Sequence, residues 1–179
     1  MIARVFRNNL RLFYGESAMK RGELARNNFK EGYNCAQAVF LAFSDVTGLS
    51  DSAALKLSAP FGGGVGRMRE ICGTVSAMMM VCGLVFYDSG HVTLEEKSAL
   101  YAREQELARR FRETNGTIVC RELLRGVTED SSPNAEARTA EYYKKRPCAD
   151  LCACAAEILE GYLIEQGMLP AAAAAEEEE

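Results

Sequence analysis

FGGGVGRMREICGTVSAMMMVCGLVFY, residues 61–87, joins a glycine-rich loop to seventeen consecutive residues, Ile71 to Tyr87, that carry no charge. A helix without a polar face must be buried among other helices or lie in lipid. A membrane span usually takes about 20 predominantly apolar residues. Gly73, Thr74, Ser76 and Gly83 dilute this run, and amphipathic segments on either side of it offer apolar faces that need covering. The stretch therefore reads as the central buried helix, about 71–87, of a bundle with no membrane span.

The flanking sequence supplies the rest of the bundle. Ala18, Ala25 and Phe29 mark a helix over about 17–30 that ends at Gly32, where a left-handed turn suits glycine. Asn34 with Gln37 forms a capping box, and Cys35, Ala38, Val39, Ala42 and Phe43 follow helical spacing, so Cys35 falls on the core face of the first turn. Ser50 caps a short helix that Pro60 stops. Beyond the break at Gly90 and His91, Thr93 and Glu96 open a long charged helix to about Glu113, its inner face read from Leu100, Tyr101, Leu107, Ala108 and Phe111. Asn115-Gly116 closes it, and Thr117 caps a short helix holding Cys120, Leu123 and Leu124. A polar loop over 126–133 leads to a helix over 134–143, and Pro147 takes the first position of a last helix with Cys148, Leu151, Cys152, Ala155, Ala156, Leu159 and Leu163 on one stripe. No useful alternating pattern is present, so the expected fold is all-α, a compact multi-helix bundle.

At 179 residues the chain suits one domain with a real core. Residues 1–16 read as a basic amphipathic arm, 17–166 as the helical domain and 167–179 as a low-complexity Ala/Glu tail. There are 21 basic and 25 acidic residues, and Glu176 to Glu179 account for the whole difference. The body is thus nearly neutral, which argues against nucleic acid as a partner. Seven cysteines, without an apolar N-terminal signal stretch, point to thiols in a reducing compartment, and the expected location is cytoplasmic. The arginine-rich arm and the long charged helix are surfaces that a homodimer could use.

Cys35, Cys72, Cys120 and Cys148 each fall near the start of an expected helix. Free N–H groups and the positive end of the helix dipole favour a thiolate there, and helix-start cysteines can have their pKa lowered from about 8.5 toward about 3.5–7.5. If the four helix starts meet, they make a thiolate pocket. Buried cysteine also serves as a small apolar residue, the reading given to Cys82. Cys152, one turn after Cys148, could act as a resolving thiol or extra ligand; Cys154 leaves the stripe and has no assigned role. The Cys148, Cys152, Cys154 spacing is not a zinc knuckle, the single His91 excludes a Cys2His2 set, and no c-type haem motif is present. An iron-sulfur cluster or zinc held by the four dispersed cysteines is the metal alternative. Gly62, Gly63 and Gly64, with Arg67 and Arg69, could cradle an anion or substrate, or let a neighbouring element approach Cys72. Met78 to Met80 read as core filling.

GYNCAQAVF (32–40), FGGGVGR (61–67), Cys72-Gly73, CRELL (120–124) and RPC (146–148) together resemble the C_GCAxxG_C_C family of redox-active proteins over roughly residues 17–163. Thr74 stands where that pattern usually has alanine, and Ala77 where it usually has glycine. The resemblance implies a small, mostly helical protein whose matching cysteines, Cys35, Cys72, Cys120 and Cys148, are redox or metal centres.

The leading expectation is a thiol-dependent oxidoreductase or electron-transfer protein acting on a redox partner or a small thiol or disulfide. Cys72 is expected to attack, with Cys35, Cys120 or Cys148 as its partner and Arg67 and Arg69 steadying the thiolate or an anion. The alternatives are a metal-binding module using the same four cysteines and a helical interaction protein whose cysteines only pack.

Overall fold

The computed structural model describes residues 20–170, and within them the chain is all-α with no strand. Its helices are α1 (Arg21–Lys30), α2 (Cys35–Leu41), α3 (Ser44–Thr47), α4 (Asp51–Ser58), α5 (Gly73–Phe86), α6 (Leu94–Asn115), α7 (Cys120–Leu123), α8 (Ala140–Lys145) and α9 (Cys148–Glu165), with a 3-10 turn at Ala59–Phe61. The basic arm and the end of the Ala/Glu tail lie outside the described residues.

Local chemistry accounts for several boundaries. The Asn34 side chain accepts from the Gln37 N–H while the Gln37 side chain accepts from the Asn34 N–H, satisfying two donors that a helix start leaves open. Ser50 and Thr93 cap α4 and α6 in the same one-sided way, each accepting an N–H from the residue three places on. Gly32 and Gly116 take positive φ beyond the ends of α1 and α6.

Helix α5 is the centre of the core. Val75, Ala77, Met78, Val81 and Cys82 are fully buried, packed among Phe29 of α1, Val39 and Phe40 of α2, Leu107 and Phe111 of α6, and Leu159 and Leu163 of α9. The burial is uneven along its length: Met79 and Met80 are half-buried and Leu84 is exposed, so the second half emerges from the bundle. Among the described residues no helix is long and apolar enough to cross a membrane.

Four details differ from the sequence expectation. Tyr101 is 55% exposed, because it lies about 100° round the helix from Leu100, off the face that Leu107 and Phe111 bury. Residues 134–139 are irregular and only Ala140–Lys145 is helical, since this segment has little apolar surface and its charged side chains are drawn to partners elsewhere in the fold. Val119, not Thr117, is the N-cap of α7; the Thr117 hydroxyl instead accepts the Val119 N–H. Pro147 precedes the first residue of α9 rather than occupying it.

Candidate functional site

The four cysteines take equivalent places in their helices. Cys35, Cys120 and Cys148 are the first residues of α2, α7 and α9, and Cys72 is the N-cap of α5. All four line one cavity of about 310 Å3. Sulfurs up to 113 positions apart in the sequence are thus brought to a single space by helix starts that converge there.

Small residues make that convergence geometrically feasible. A Cβ on Gly73 would lie 2.7 Å from the Cys35 Sγ and 2.6 Å from the Phe61 carbonyl oxygen, so the glycine after Cys72 is what lets α2 and α5 abut. A Cβ on Gly64 would lie 2.6 Å from the Cys120 Cβ and 2.8 Å from the Glu70 nitrogen, and one on Gly62 would strike the Asn34 side chain that caps α2. An antiparallel bridge between Ile71 and Val119 aligns Cys72 with Cys120. The Cys72 N–H donates to the Ile118 carbonyl at 2.8 Å and the Cys120 N–H to the Glu70 carbonyl at 2.6 Å.

Gly63, Gly64, Val65, Gly66 and Arg67 have positive φ in succession, as does Arg69. For a non-glycine residue this conformation costs on the order of 1–2 kcal/mol. The loop is held in it by its own backbone: the N–H groups of Val65, Gly66, Arg67, Met68, Arg69 and Glu70 all donate to carbonyls between Pro60 and Val65. Those six amides are spent within the loop. The glycines instead admit Asn34 and Cys120 to close range.

The two loop arginines turn toward residues 130–136, which cover the cavity. Arg67 donates to the Ser132 carbonyl (2.7 Å), Asp130 (2.7 Å) and Glu136 (3.4 Å), while Arg69, 6% exposed, donates twice to the Asp130 carbonyl. From the other side Arg146 donates to Glu136 at 2.6 Å. Burial opposes ionisation of Glu136, yet the Arg146 hydrogen bond and the Arg146 and Arg67 charges hold its carboxyl below the usual range. A stacked ladder completes this wall. The Arg138 guanidinium carbon is 4.6 Å from the Phe29 ring centre and 4.7 Å from that of Tyr142, and Arg146 is 4.6 Å from the Tyr142 ring centre. Glu136, Arg138 and Tyr142 carried no signal in the sequence, because their roles arise only when an irregular segment and the short helix α8 after it fold over helix starts. Arg146 was visible only as a letter of the RPC stretch.

Three of the thiols, Cys72, Cys120 and Cys148, are shifted against what the helix starts alone would suggest. Burial first, and then the nearness of Cys35, pushes the Cys148 thiol up to about 12, although it keeps some opening to solvent. The same two causes in the same order raise Cys72 and Cys120, while Arg69 partly offsets the rise at Cys120. At Cys72, Cys120 and Cys148 the desolvation of a charge therefore outweighs the helix-end field, the reverse of the low pKa expected there. Cys72 lies on the cavity floor, 4% exposed, with its sulfur 3.2 Å from the Thr74 hydroxyl. The Cys152 thiol, fully buried, donates to the Cys35 carbonyl at 3.8 Å.

The remaining candidates lie apart. Cys82 is in the core, Cys154 accepts a hydrogen bond from Asn115, and exposed His91 pairs with Asp88. Among the described residues no three His, Cys, Asp or Glu side chains group closely enough to hold a metal ion. The four thiols as placed are therefore not a ready-made ligand set for zinc or an iron-sulfur cluster.

Comparison with curated proteins and with solved structures gave no match. A family model described as "Putative redox-active protein (C_GCAxxG_C_C)" matches residues 33–162, well over half of the 179, and spans all four cavity cysteines. On that match, the chain belongs to the C_GCAxxG_C_C family of redox-active proteins.

Proposed function

We propose that this protein exchanges thiols for disulfides in the four-cysteine cavity, reducing a small disulfide with Cys35 as the central sulfur and Cys148 as the entry thiol. One observation carries the reading: the four cysteines line a single cavity, with the Cys35 Sγ against Gly73 beside Cys72 and the Cys35 carbonyl accepting from Cys152, one turn after Cys148. Cys148 is favoured over Cys72 for the first attack because it is half-buried where the other three are buried.

The steps balance as follows. Deprotonated Cys148 attacks one sulfur of R–S–S–R, forming a Cys148–S–S–R bond and expelling R–S⁻. Cys35 then displaces the second R–S⁻ and closes a Cys35–Cys148 disulfide. The protein loses two electrons and two protons, and the substrate becomes two R–SH. The charges of Arg146 and Arg138 act on Cys148 in the direction that favours its anion. Unpaired thiols throughout the described residues suit a reducing compartment such as the cytoplasm, where a redox partner or small thiol would re-reduce the protein.

Titration of the reduced protein with bis(2-hydroxyethyl) disulfide tests this. The expected result is loss of two free thiols per chain, reversed by dithiothreitol, with Cys35→Ser halting at a mixed disulfide on Cys148. Unchanged cycling in Cys35→Ser, or no thiol loss in the parent, contradicts it.

A further inference from the structure

We infer that the small disulfide taken by this cavity carries a carboxylate, and that Arg138 is the group that receives it. The inference rests on the thiol-disulfide reading above and adds the substrate's charge.

Four guanidinium groups line the cavity, those of Arg67, Arg69, Arg138 and Arg146, against the one carboxylate of Glu136. Three of them are committed to the covering segment: Arg67 to Asp130, Ser132 and Glu136, Arg69 to the Asp130 carbonyl, and Arg146 to Glu136. Arg138 differs. Among the described residues it meets no carboxylate; its Nη2 donates to the Tyr33 carbonyl at 3.3 Å, and its Nη1 is buried with no hydrogen-bond partner. A buried donor left unpaired is a standing penalty that an entering anion would relieve. The starts of α5 and α9, at Cys72 and Cys148, add their positive ends to the same space.

Size and shape narrow the class. At about 310 Å3 the cavity is at the small end of ligand sites, which span about 300–1,000 Å3, and it suits a small molecule rather than a protein loop. The Phe29 and Tyr142 rings, 4.6 and 4.7 Å from the Arg138 guanidinium carbon, hold the group in place, and its Nη1 donor is the one without a partner. A flat carboxylate matches a guanidinium edge. The Arg138 charge also reaches the Cys148 thiol, so a carboxylate held there keeps its disulfide near the attacking sulfur. The atoms balance as before: the Cys148–S bond forms as the substrate S–S bond breaks, two electrons pass to the substrate, and the two protons of Cys35 and Cys148 go to the two released thiolates.

The test is a charge series of small disulfides: 3,3'-dithiodipropionate with two carboxylates, neutral bis(2-hydroxyethyl) disulfide, and cystamine with two ammonium groups. Each oxidation rate of the reduced protein is divided by the rate of the same disulfide with free dithiothreitol. The expected order is dithiodipropionate first, about tenfold ahead of the neutral compound, with cystamine last and the spread shrinking as salt rises. Arg138→Gln brings the ratio of the dianion rate to the neutral rate down to about one, whatever it does to both rates, while Arg138→Lys keeps the sign of the preference and loses most of its size. Equal normalised rates, or cystamine fastest, in a protein that cycles would overturn the inference alone; failure with all three disulfides would instead defeat the thiol-disulfide reading. If Arg138→Gln does not fold, the order and salt dependence in the parent chain decide.

Discussion

On one side of the cavity Cys35 and Cys148 are the first residues of α2 and α9 and Cys72 is the N-cap of α5, and the approach of α2 to α5 depends on contacts that no larger residue than Gly73 would allow. On the other side residues 128–139 have no regular structure and are held by Arg67, Arg69 and Arg146 through side-chain hydrogen bonds. The first wall sets where the sulfurs are. The second sets the charge they feel and how far solvent reaches them. Position and reactivity are thereby separable, and substitutions on the two walls should fail in different ways.

The largest expected effect is on the rigid wall. Gly64→Ala adds a Cβ 2.6 Å from that of Cys120 and 2.8 Å from the Glu70 nitrogen, at φ +72, where backbone rather than a flexible side chain must give way. A loss of about 2–4 kcal/mol in chemical denaturation is expected from strain and overpacking together. A loss under about 0.5 kcal/mol would show that this wall tolerates movement. On the irregular wall Arg67→Ala should leave the helices intact and free the cover. Amide exchange over 128–139 should rise about tenfold, with faster alkylation of Cys148 and exchange in α5 unchanged. Equal acceleration in α5 would mean that the two walls open as one.

The smallest effect is in the pH dependence of the reduced protein. The Cys148 thiol is raised in the folded chain from an ordinary value near 9 to about 12, so the folded state holds the proton more tightly than the unfolded one. That stabilisation is fully present below the ordinary thiol pKa and is lost as pH rises toward the folded value. Between pH 9 and 10 the parent should lose about 1 kcal/mol more than Cys148→Ser. Identical profiles would place Cys148 in water rather than within the cavity.

The difference between the walls also explains what could be read in advance. Asn34 with Gln37, Ser50, Thr93 and the glycines at 32 and 116 act on their own helix ends, so their residue types alone predict the boundaries. The cysteine positions followed from those boundaries. That their helix starts meet depends on Gly62, Gly64 and Gly73, whose meaning is a distance to another element; sequence shows the glycine but not the neighbour. The direction of the thiol shifts was misjudged for the same reason: the helix-end field is local and visible, while desolvation belongs to the assembled cavity. Arg138 and Tyr142, in a stretch expected to be helical over 134–143, were hidden because that segment takes its shape from Arg67, Arg69 and Arg146 rather than from its own periodicity.

The central claim is that Cys35 is the sulfur shared by the redox chemistry of this cavity. Oxidising the reduced protein with one equivalent of a small disulfide, blocking the remaining thiols, and identifying the bonded peptides by mass spectrometry without reduction tests it most directly. The account predicts a single intramolecular bond joining the Cys35 peptide to the Cys148 peptide. A bond that excludes Cys35, such as Cys72 to Cys120, would contradict it.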